Sequence, residues 1–273
     1  MFQRLVLMVL IGWSVSPAFA QNSNDSAVND GYSSYYKIAE PKPIKAYLMP
    51  QMELMPLKPL VRATGDLLRW ALNRTDWPLP DSPYNRRQKF GNWLKDHTKD
   101  SCLNTRAKIL IRESKVPVRM SANGCTVVEG EWDDPYTGTI FTRASQVQID
   151  HMVPLKNAYV SGAWRWSQKD RCAYTNFRAN RFHLVAVSGH ENMSKGDRSP
   201  ADWLPSNPAF VCEYLKDWLS VKLIWGLILG PREGKAIKQA LRAYRCQPEE
   251  FEMAPGELAE QRVAIQQSYA QCH

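Results

Sequence analysis

Gln146-Val147-Gln148-Ile149-Asp150-His151, then Phe182-His183-Leu184-Val185-Ala186-Val187, and at once Ser188-Gly189-His190-Glu191-Asn192-Met193-Ser194-Lys195-Gly196 decide the fold. Polar and apolar residues alternate over 146–149, which predicts a short strand, and the β-like, mostly apolar run 182–187 predicts a second. Ser188 with Glu191 three positions on has the pattern of a capping box, so a helix is expected to start there. Gly196 is its natural stop, and Lys195 in the last turn suits the helix dipole. Ser199-Pro200 then has the cap and first-position pattern of a second short helix. Two strands parted by a long loop and followed by a helix predict an α+β class.

Asp150, His151 and Asn192 are a set suited to phosphodiester hydrolysis. That reaction needs a base to deprotonate water and a metal to neutralise the phosphate and the leaving oxygen. A hard cation takes oxygen ligands, which Asp150 and the Asn192 amide offer. His151, adjacent and unligated, is then the candidate general base. Strict alternation sends Asp150 and His151 to opposite faces of the strand. For both to serve one site a bend at His151 is expected, with Pro154 just beyond it. Asn192 and Lys195, three apart, share one helix face.

The motifs form an ordered series. It contains Asp150-His151-Met152-Val153-Pro154-Leu155, Ser161-Gly162-Ala163-Trp164, His183 to Ser188, and Asn192 through Lys195-Gly196-Asp197-Arg198 to Trp203-Leu204-Pro205. Tyr84-Asn85-Arg86, Cys102 to Leu110 and Asp133 with Pro135-Tyr136-Thr137-Gly138 extend it. The series resembles the secreted His-Asn-His endonuclease family, related to the C-terminal domain of the GmrSD restriction enzymes, over about 84–230. The resemblance implies a ββα-metal (His-Me finger) core, here embedded in a mostly helical domain with a small β-hairpin. It also implies hydrolysis of DNA, with RNA as a further substrate left open, using one divalent cation, Mg2+ by preference, with Mn2+ or Zn2+ as alternatives. It makes His151 the base and Asp150 and Asn192 metal ligands, and sets Lys195 near the phosphate. One position departs from the pattern: His183 stands where the family usually has Asn. A structural role for it is favoured over metal binding.

Asn176 is expected to brace the site loop or to lie in a turn. Arg171, Arg178, Arg181 and Arg198 are either a phosphate-binding rim, Arg171 and Arg198 foremost, or ordinary surface charge. Trp164-Arg165-Trp166 reads as core tryptophan rather than as a base-stacking platform. His190 is expected to be an exposed helix residue.

Outward from this centre, Arg86 to Asp96 and Thr105 to Ser114 are expected to be helical. Val116–Met120 and Cys125–Gly130 are expected to pair around Asn123-Gly124, the strongest short hairpin signal. Val211–Leu229, Glu233–Tyr244 and Glu257–Tyr269 have helical patterns. Leu60–Leu72 is compatible with one amphipathic helix, in a Pro-rich arm that ends at Trp77-Pro78-Leu79-Pro80. The expected divisions are a signal peptide (1–20), the arm (21–83), a nuclease domain (84–230) and a helical tail (231–273). The start carries Arg4, an apolar run to Trp13 and Ala18-Phe19-Ala20, the layout of a secretory signal, with an uncleaved anchor as the bland alternative. A secreted or periplasmic location follows.

The net charge of +8 over 273 residues favours polyanionic partners, nucleic acid among them. Six cysteines, none in a Cys-x-x-Cys pair, speak for disulfides and against a zinc ribbon. Cheap closure of short loops predicts sequential pairing: Cys102–Cys125, Cys172–Cys212 and Cys246–Cys272. A non-catalytic envelope protein that grips nucleic acid or a protein on a degenerate nuclease scaffold is the competing reading, and His183 is its motive.

Overall fold

The computed structural model describes residues 80, 82–96, 101–247 and 251–272, all within the unit Leu54–His273. The expected signal peptide, the helix over Leu60–Leu72, His97 and His273 lie outside the described residues. The class is α+β, with helices around two small antiparallel sheets.

Helix α1 is Arg86–Phe90, started by the Asn85 side chain, which accepts from the Gln88 amide at 3.1 Å. It stops at Gly91 rather than continuing to Asp96, because Gly91 has φ +69° and ψ −147°, a conformation open to glycine alone. Helix α2 (Thr105–Glu113) is capped by Asn104 and buries Ala107, Ile109 and Leu110. Strands β1 (Arg119–Met120), β2 (Val127–Asp133) and β3 (Ile140–Arg143) form the first sheet in the order β1-β2-β3. The Asn123-Gly124 turn joins the first two, as its sequence requires, although both strands begin later than expected.

Strand β4 (Val147–His151) pairs antiparallel with β5 (Leu184–Ser188), from Val147↔Ser188 to His151↔Leu184. The connection carries α3 (Leu155–Val160) and α4 (Gln168–Asn176). Helix α5 (Gly189–Lys195) follows β5 directly. Its cap Ser188 accepts from the amides of His190 and Glu191, and Gly196 ends it at φ +53°. Beyond it Pro200–Asp202 make a turn instead of the expected second helix. Val147, Ile149, Leu184 and Ala186 join Ile109, Leu110, Val127 and Trp132 in one core between α2 and the sheets.

Helices α6 (Val211–Ile224), α7 (Pro231–Ala243) and α8 (Pro255–Ser268) follow among the described residues. A buried polar cluster joins α6 to α7. The Lys222 ammonium meets Glu233 and Ser161 at 2.9 Å and the Ile228 carbonyl at 3.0 Å, and the Trp218 indole donates to Glu233 at 2.6 Å.

The disulfides are Cys102–Cys125, Cys172–Cys272 and Cys212–Cys246. Sequential pairing holds for the first and fails for the other two. Loop-closure cost grows only with the logarithm of length, so tertiary packing chooses the partner. The Tyr269–Gln271 turn lies on α4, which delivers Cys272 to Cys172, and α7 returns Cys246 to the first turn of α6.

Peptide mapping without reduction is expected to recover these three pairs. Single Cys→Ser replacement is expected to cost about 3–5 kcal/mol in urea denaturation, most for Cys172–Cys272, whose loop spans 100 residues.

Candidate active site around the end of strand β4

Pairing of β4 with β5 runs through His151, and the chain turns only at Met152-Val153. No bend therefore brings Asp150 and His151 to one side. Gln148 and Asp150 face α5, whereas His151 faces α4 and the segment after α1.

On the first face, Asp150 is 4% exposed, and one of its oxygens accepts from the Tyr136 hydroxyl at 2.6 Å and from the Lys195 ammonium at 2.7 Å. Lys195, expected near the phosphate, is fully buried, and its ammonium also donates to the His151 carbonyl at 2.9 Å. The cause is register: Lys195 ends α5 where β4 ends, and the Trp218 ring 6.0 Å away closes over it. Burial pushes the Asp150 carboxyl above the usual range and the Lys195 ammonium below it, while their mutual attraction opposes both shifts. One turn back, the half-buried Asn192 donates from its amide nitrogen to the Gln148 side-chain oxygen at 2.8 Å. That bond turns the Asn192 oxygen to the other side of the carboxamide.

On the second face, His151 is 6% exposed and its Nε2 lies 3.0 Å from the Thr175 carbonyl. A carbonyl only accepts, so Nε2 carries the proton and Nδ1 is the basic lone-pair nitrogen. Burial, with the neighbouring His183 next in weight, holds the imidazole well below its usual pKa, hence neutral at pH 7. His183 is 1% exposed and donates from Nε2 to the Tyr174 carbonyl at 2.7 Å. Its ring is enclosed by Tyr174, Phe177 and Trp225, and burial pushes its pKa down to about 4. Two imidazoles thus grip consecutive carbonyls of the last turn of α4.

Asn176 has its hydrogen-bonding capacity used. Its oxygen accepts from the Leu94 amide at 2.9 Å and the Thr105 hydroxyl at 2.7 Å, and its nitrogen donates to the Cys172 and Asn92 carbonyls. Arg171 donates to the carbonyls of Lys89, Ala163, Trp164 and Trp166. Arg178 meets Gln271, Arg181 meets Glu113, and the exposed Arg198 donates to the Ser194 carbonyl. Trp166 packs against Tyr174 and Trp225, while Trp164 lies under the Arg165 guanidinium. His190 is exposed beside Glu191.

Sequence reasoning did not single out Tyr136, Thr175 or Trp93. Tyr136 lies inside a quoted motif, Asp133 to Gly138, which is the one signal that pointed to it. Trp93 stacks parallel to His151, with centroids 5.2 Å apart and an interplanar angle of 5°.

The model of the GmrSD restriction endonuclease C-terminal domain matches residues 106–228. An uncharacterized secreted protein of Arthroderma benhamiae is 35% identical over 163 residues, covering 59% of this chain and 76% of that protein. The chain belongs to the GmrSD restriction endonuclease C-terminal domain family. The matched span holds Asp150, His151, Asn192 and Lys195, and the family is a nuclease domain. No solved structure matches the chain.

Two outcomes follow from the buried charges. Lys195→Met is expected to cost about 3–5 kcal/mol in urea denaturation, because it strands the Asp150 carboxylate, and Asp150→Leu on that background is expected to recover much of the loss. His183 has its folded pKa depressed, so the unfolded chain binds the extra proton as pH falls below about 6.5. Stability is therefore present above that value and lost down to about 4, by about 3 kcal/mol from this residue. His183→Asn is expected to flatten that part of the pH–stability curve.

Proposed function

We propose that this chain is an exported endonuclease of the His-Asn-His type that hydrolyses phosphodiester bonds of DNA, and that β4, β5 and α5 are its ββα-metal core. The reading is carried by His151: a neutral imidazole with its Nε2 proton committed to the Thr175 carbonyl keeps Nδ1 free to take a proton from water. The β–β–α order and the family membership support it. Asp150 and His151 are consecutive at the end of β4 and face opposite sides of the strand.

The donor set also fits a hard divalent cation. Asp150 supplies a carboxylate, and Asn192, whose amide nitrogen is taken by Gln148, an amide oxygen. Among the described residues no three His, Cys, Asp or Glu side chains form a metal cage. Sparse oxygen donors suit Mg2+, which keeps most of its water and takes one or two carboxylates. We assign Asp150 and Asn192 to hold it; when bound, it neutralises charge on the scissile phosphate and leaving oxygen. Lys195 acts through Asp150, keeping its charge compensated and its position fixed. Arg198, exposed next to α5, is assigned to backbone phosphate, a contact without sequence information.

Export is supported by the three disulfides and by the secreted relative. No helix among the described residues is long and apolar enough to cross a membrane. The binding-protein alternative draws on the Lys195 ammonium, which already cancels the Asp150 charge.

Plasmid digestion decides between the two. His151→Ala is expected to slow cleavage by about 10²–10⁴-fold, and chelation to stop it until Mg2+ is restored. Cleavage by His151→Ala at the wild-type rate removes His151 from its role. Salt-sensitive DNA binding without turnover in Mg2+, Mn2+ or Zn2+ favours the scaffold reading.

A further inference from the structure

We infer that Trp93 is a positioning residue for the general base, and that Asn176 is the bracket that holds it there. The inference rests on the nuclease reading of His151 and concerns a segment outside the matched span 106–228.

The His151 imidazole has two parallel ring neighbours. Trp93 stacks on it at 5.2 Å and 5°, and Tyr174 lies parallel to it at 6.2 Å and 7°. The Thr175 carbonyl takes the Nε2 edge. Parallel ring neighbours and a hydrogen-bonded edge together oppose rotation about χ2, so Nδ1 keeps one direction. Tyr174 is itself fixed by its hydroxyl, which donates to the Val153 carbonyl at 2.7 Å.

Trp93 sits in a stretch without helix or strand, Gly91–Leu94, so its position has to be imposed from outside. Asn176 does so on both sides, accepting from the Leu94 amide and donating to the Asn92 carbonyl. The same face of α4 takes hold further upstream. Thr175 donates its hydroxyl proton to the Phe90 carbonyl at 3.0 Å, and Arg171 donates to the Lys89 carbonyl at 2.8 Å. The residue whose carbonyl orients His151 therefore also anchors the segment that covers the ring. Half-burial of Trp93 against the core cluster leaves its indole to act on the imidazole rather than as an open platform for bases.

The test uses Trp93→Leu, which keeps apolar volume, Trp93→Phe, which keeps an aromatic plane, and His151→Ala as reference. Trp93→Leu is expected to lower kcat by about tenfold to a hundredfold with KM within about twofold, as for a misaligned catalytic group. Trp93→Phe is expected to return kcat to within about threefold of wild type. In carbon-resolved NMR the ring protons of His151, assigned by their disappearance in His151→Ala, are expected upfield in the wild type and relaxed in Trp93→Leu. A Trp93→Leu enzyme with unchanged kcat, or one whose loss lies in KM, overturns the positioning role. Wild-type cleavage by His151→Ala overturns the nuclease reading and this inference with it. An inactive His151→Ala beside an unimpaired Trp93→Leu overturns the role of Trp93 alone.

Discussion

An ammonium with no solvent exposure has to find its acceptors inside the protein, and Lys195 finds the Asp150 carboxylate at 2.7 Å and the His151 carbonyl at 2.9 Å. Desolvating both ions is costly, and only close geometry with further hydrogen bonds offsets it. Tyr136 supplies one such bond to Asp150. The pair fixes how α5 lies on β4, because with Lys195 at the end of the strand, helical spacing sets Asn192 beside Gln148. The Trp218 ring then lies between two buried ammonium groups, Lys195 at 6.0 Å and Lys222 at 5.5 Å, while its indole nitrogen serves Glu233. One tryptophan thereby couples the Asp150 pair to the cluster that docks α7.

Across the strand the physics is that of neutral groups. His151 and His183 are buried among aromatic rings, and each spends its one N–H on a carbonyl of α4. A charged imidazole there would lack a counter-ion, so burial keeps both neutral. In His151 that leaves a basic nitrogen in a fixed orientation, which proton abstraction needs. Strand alternation therefore separates the two side chains. Asp150 lies on a face organised by ion pairing, and His151 on a face organised by stacking and backbone acceptors.

Local features of this arrangement were legible in the sequence. Ser188 and Gly196 mark the ends of α5, Asn123-Gly124 marks the hairpin, and the runs 146–149 and 182–187 mark β4 and β5, because caps, turns and alternation act within a few residues. Alternation also foretold that Asp150 and His151 point apart, and the chain keeps that rule where a bend was expected. What failed were statements about distant partners. Cys172 pairs with Cys272 because the Tyr269–Gln271 turn lies on α4, which nothing near either cysteine encodes. Lys195 was expected near the phosphate because a four-carbon stem reads the same whether it reaches a ligand or a buried carboxylate. Trp93 lies 58 positions before His151 in the numbering and outside any regular element, so neither periodicity nor spacing connected them.

The supports of His151 come from both flanks of the matched span. From upstream, residues 89–94 are gripped by Arg171, Thr175 and Asn176; from downstream, Cys272 is bonded to Cys172 on the same helix. Helix α4 has nine residues, too few to be stable alone, so its last turn keeps its geometry only through such contacts. The carbonyls of Tyr174 and Thr175 can orient two imidazoles because that turn is pinned from three sides: by the segment after α1, by the disulfide and by the stacked rings. The matched span holds Asp150, His151, Asn192 and Lys195. The flanking residues supply the rigidity that gives the His151 lone pair a direction.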